Sequence, residues 1–70
     1  MNVQNDLLIN DARYVLESTM RKSIIKGWAC VEEKMNMGDL FAAYSAAGGN
    51  HGIGDLYSVY KHLPPNPPSI

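Results

Sequence analysis

Cysteine is nearly missing from this chain. Cys30 stands alone, so no disulfide can staple the fold from within. Close-spaced metal ligands are missing too, because Cys30, His51 and His62 form no pair at a ligand spacing. A basic excess is lacking: six Lys and Arg face seven Asp and Glu, for a net charge of -1. Nucleic-acid modules draw most of their affinity from neutralising phosphates, so this balance speaks against one. No apolar run is long enough to span a bilayer. The opening "MNVQNDLLIND" is neither basic nor continuously apolar, and reads as no signal peptide. With a lone free thiol, these features place the protein in a reducing cytoplasm. Alternating apolar and polar residues, the mark of a strand, are absent as well.

Proline is confined to one end. All four prolines fall in 64–68, within the tail "PPNPPSI". The remaining 63 residues can therefore form helices, and 46% hydrophobic content supplies apolar faces to bury. The reading is an all-α fold: a single helical domain over 1–63 with one long N-terminal helix and two short ones, then an extended tail over 64–70. A domain this small buries only about 60% of its unfolded surface. Self-association or a partner is the natural source of further stability.

Residues 5–35 contain no proline and one glycine. Asn5 or Asp6 can cap the start, and Arg13 can pair with Glu17 four residues on. Two apolar stripes run along this segment. Leu8, Ala12, Val15 and Leu16 form the first; Ile24, Trp28, Val31 and Met35 form the second. At 100° per residue they are rotated by about 120°, with the changeover in "STMRKS", residues 18–23. Either the segment breaks there, or one continuous helix buries one face at home and the other against a second subunit. No residue in 18–23 is a strong breaker, so the continuous helix is favoured. Met20 and Ile24 are then expected at the self-association face of a homodimer.

A second helix is expected over 38–47, "GDLFAAYSAA", with Leu40, Phe41, Tyr44 and Ala47 inward and Gly48 and Gly49 as its stop. A third is expected from Gly54 or Asp55 to His62, with Leu56, Tyr57, Tyr60 and Leu63 along one side and Pro64 and Pro65 ending it.

Four glycines crowd residues 48–54. A phosphate loop would need lysine after Gly54, where Asp55 stands, and neither glycine fingerprint follows a strand. The stretch reads as a connector or hinge. His51 lacks the positioned partner that base work requires, and His62 suits a helix end. Cys30, beside Glu32 and Glu33, lacks the electropositive setting of a nucleophile and reads as a small buried residue. No catalytic constellation, metal set or cofactor site emerges.

What remains is surface for partners. Trp28, Tyr44, Tyr57 and Tyr60 are the candidate contacts with another protein, since exposed aromatics make natural hot spots. Arg21, Lys22 and Lys26 form the one basic cluster, which reads first as a solvated face and second as a dock for an acidic partner or a nucleic-acid backbone. "KHLPPNP", residues 61–67, resembles the class I ligand of SH3 domains, with lysine at the basic position; the resemblance implies a proline-rich peptide ligand. "DLFAAYSAAGGNH" over 39–51, followed by "VYKHLP", resembles the Hha/YmoA-like small helical regulators of bacterial nucleoid proteins. That resemblance implies a nucleic-acid-linked regulator. The glycines after Ala47 interrupt the family's helix, and its charged residues beside the histidine are missing. The function expected first is thus a non-catalytic interaction module: an adaptor, inhibitor or regulatory subunit.

Overall fold

A computed structural model describes residues 3–49 and 52–68. Three helices follow in order: α1 (Val3–Lys26), α2 (Val31–Ala46) and α3 (Ile53–Tyr60). Among the described residues there is no strand. The all-α class expected from the sequence holds.

The expected continuous helix over 5–35 does not. Residues 18–23 are helical throughout, so the polar run breaks nothing. The chain turns at Gly27 instead. Gly27 takes φ +90°, a left-handed conformation that side-chain-bearing residues adopt only under strain, and its N–H donates to the Ser23 carbonyl at 2.8 Å. Trp28, Ala29 and Cys30 form the connector. Ala29 is fully buried, and its N–H donates to the Pro64 carbonyl at 3.0 Å. Cys30, expected to be buried, is exposed and caps α2; its Sγ accepts the Glu33 N–H at 3.4 Å. The rotation between the two apolar stripes now has its cause. Val31 and Met35 belong to another helix, and Trp28 to none.

α2 consequently starts earlier than expected, at Val31, and takes in Glu32 and Glu33, which suit the positive end of a helix dipole. Its end is as read. Gly48 and Gly49 donate to the carbonyls of Ser45 and Tyr44 at 3.0 and 2.9 Å, the paired bonds of a Schellman motif. A Cβ on Gly49 would collide with the Tyr44 ring. The glycine stretch is thus a helix stop as far as it is described; Asn50 and His51 lie outside the described residues. α3 is short and ends ahead of Pro64 and Pro65.

Both α2 and α3 lie against α1, which at 24 residues is about 36 Å long and acts as the spine. The molecule is correspondingly elongated, 51 × 18 × 15 Å. Leu16 and Met20 of α1, Ala29, Tyr44 of α2, and Ile53 and Tyr60 of α3 make the fully enclosed core.

Candidate interaction surface

The aromatic residues divide between core and surface. Tyr60 is fully buried, and its Oη donates to Glu33 Oε2 at 2.7 Å. Ser23 Oγ donates to the same oxygen at 2.7 Å, so one carboxylate on α2 ties α1 to α3. Burial, then the hydrogen bond to Glu33 and its charge, push the Tyr60 phenol well above its ordinary value of 10.0, so it stays protonated and donating. Beside this tie, Lys34 Nζ donates to the Leu63 carbonyl at 2.7 Å and holds the start of the tail. Tyr44 is as buried as Tyr60, yet its hydroxyl has no hydrogen-bond partner among the described residues. Two of the four expected partner contacts, Tyr44 and Tyr60, are therefore core side chains.

The other two reach the surface in part. Tyr57 is half-buried and stacks on Phe41, with centroids 4.6 Å apart and planes 17° from parallel. Trp28 is half-buried in the connector, with Lys26 Nζ 4.3 Å from its ring centroid, a cation–π contact. Met20, expected at an exposed self-association face, lies wholly inside this chain's own core, and Ile24 packs against that core from the edge. The helix turns them inward because Leu16, Met20, Ser23 and Ile24 share one side of α1.

The basic cluster is partly spoken for. Arg21 Nε pairs with Glu17 Oε1 at 3.1 Å, the one ion pair among the described residues. Glu17 takes Arg21 rather than the expected Arg13, since a carboxylate one turn ahead of the cation is the better helical orientation. Lys26 lies on Trp28, and Lys22 is exposed. His62 is exposed just past α3. Among the described residues, no three His, Cys, Asp or Glu side chains converge on a point. Among the described residues, no helix is long and apolar enough to cross a membrane. In the tail, Leu63 packs on the core while residues 64–68 are exposed.

Among the described residues, six large hydrophobic side chains stand exposed: Tyr14, Val15 and Ile25 on α1, Val31 and Met35 on α2, and Val59 on α3. Ile25 is 87% exposed and Tyr14 74%. The face expected at Met20 and Ile24 does not include these exposed α1 residues. Val15 and Ile25 lie on the side of α1 that also carries Asp11, Ser18 and Lys22, and its mixed composition gave no apolar stripe to read. Two open grooves flank α2. One, of about 370 Å³, lies between α1 and α2 over Ala12, Val15, Leu40 and Ala43, with Asp11 on its rim. The other, of about 470 Å³, lies between α2 and α3 beside Met35, Tyr57 and Lys61. Compared with protein-family models, with curated proteins and with solved structures, the chain matches none.

Proposed function

We propose that this protein is a small non-catalytic interaction module that works by binding other protein surfaces, self-association included, in the cytoplasm. One observation carries the reading. Among the described residues, a core of six buried hydrophobic residues is matched by six large hydrophobic side chains left in solvent. Scattered exposed apolar residues are ordinary. Here they lie on all three helices of a chain with too little interior to hide them, which favours surfaces that are covered in use. The exposed thiol of Cys30 fits a reducing compartment.

The test is affinity capture of the tagged chain from its native host lysate, with and without nuclease, alongside a Val31→Asp/Met35→Asp variant. A stoichiometric protein partner that survives nuclease, and that the variant loses, is the expected result. Partners that vanish with nuclease would instead make Arg21, Lys22 and Lys26 the working residues and overturn the reading.

A further inference from the structure

We propose that the outer face of α1 is the seat of a second copy of this chain, laid antiparallel across it about a two-fold axis. The inference rests on the self-association part of the reading above and says where that contact lies.

The inner side of α1, through Leu16, Met20 and Ser23, is buried under α2 and α3. The opposite side carries Asp11, Tyr14, Val15, Ser18, Arg21, Lys22 and Ile25, all exposed. Spacings of four, three, four and three keep Asp11, Val15, Ser18, Lys22 and Ile25 on one side of α1, with Val15 and Ile25 as its apolar members alongside the charged ones. The charge of this side is polarised. Asp11 sits toward its N-terminal end and Lys22 toward its C-terminal end, and neither has an ion-pair partner among the described residues.

That polarity selects the orientation. A parallel pair would set Asp11 against Asp11 and Lys22 against Lys22. An antiparallel pair crossing between Val15 and Ser18 sets Asp11 against Lys22 twice, once for each half of the two-fold. The same register sets Val15 against Ser18 near the crossing. Ser18 is small, and its hydroxyl is turned back onto the Tyr14 carbonyl at 2.8 Å, so little stands between the two backbones at the crossing. Ile25, the most exposed hydrophobic side chain of this side, then lies over the early turns of the other copy's α1. Asp11 and Val15 also edge the α1–α2 groove, so a copy seated on this side closes over that groove's mouth.

Sedimentation equilibrium of the full chain tests this, with circular dichroism confirming that each variant stays helical. The native chain is expected at twice its 7.7 kDa monomer mass at micromolar concentration. Ile25→Asp, and separately Val15→Asp, should raise the dimer dissociation constant at least about tenfold. Asp11→Lys and Lys22→Asp should each weaken the dimer about fivefold, and the double swap should recover most of the loss, as only antiparallel pairing permits. A native chain that is monomeric throughout overturns the proposal, as does a dimer indifferent to Ile25→Asp and Val15→Asp. A dimer weakened by those two but not rescued by the double swap overturns the orientation. A monomeric chain that still captures a nuclease-resistant protein partner leaves the interaction reading standing; one that captures nothing takes both down.

Discussion

Tyr44 and Tyr60 are both buried tyrosines on helices packed against α1, and they live in different chemistry. Tyr60 donates into a carboxylate that Ser23 also reaches, so its end of the molecule is fastened by hydrogen bonds across all three helices. The Tyr44 hydroxyl is enclosed with no partner among the described residues, beside an open apolar groove. One end is specified by polar pairing, the other by shape alone. A buried tyrosine therefore contributes in opposite senses depending on whether a distant residue answers its hydroxyl.

The largest break in this comparison is Glu33→Ala. It leaves the buried Ser23 and Tyr60 hydroxyls unanswered together, and a loss of about 2–4 kcal/mol is expected in urea unfolding. Next is Tyr60→Phe, which keeps the ring and removes one bond to Glu33, expected to cost about 1–2 kcal/mol. Tyr44→Phe sharpens the contrast. Removing an unpaired buried hydroxyl should leave stability unchanged or raise it by up to about 1 kcal/mol, and a clear loss there would show that the hydroxyl is answered after all.

Alkaline pH separates the two ends further. The Tyr60 phenol is held above its ordinary 10.0 in the folded protein, so above that pH the unfolded chain gives up a proton that the folded chain keeps. Stability contributed by this group is complete below pH 10 and declines as pH rises toward the folded-state value. Urea midpoints measured from pH 9 to 11 should fall for the native chain, and Tyr60→Phe should flatten that part of the fall.

Several features of the fold could be read directly from residue types. Gly48, Gly49 and the prolines punctuate α2 and α3 because their backbone chemistry acts locally. The break after Lys26 was hidden. Gly27 is a single glycine among good helix formers, and the cap that follows is a cysteine, not one of the usual serine, threonine or aspartate caps. Glu33 stands where a capping-box glutamate would, yet its carboxylate turns to Ser23 and Tyr60, ten and twenty-seven residues away in sequence. The same distance explains the misplaced partner residues. Periodicity shows that Tyr44, Tyr60 and Met20 lie on apolar faces; which apolar face becomes the inside depends on where the chain turns. Once the turn moves to Gly27, Met20 goes inward and Tyr14, Val15 and Ile25 are left outside.

The turn also carries the chain's one tryptophan, Trp28, half-buried beneath the Lys26 ammonium and next to the Ala29–Pro64 bond. Indole emission therefore reports on this joint alone, with no probe to be introduced. If the joint loosens before the helices melt, the fluorescence maximum moves to the red while far-ultraviolet ellipticity is still intact. A single optical titration then separates the opening of the corner from the loss of the spine.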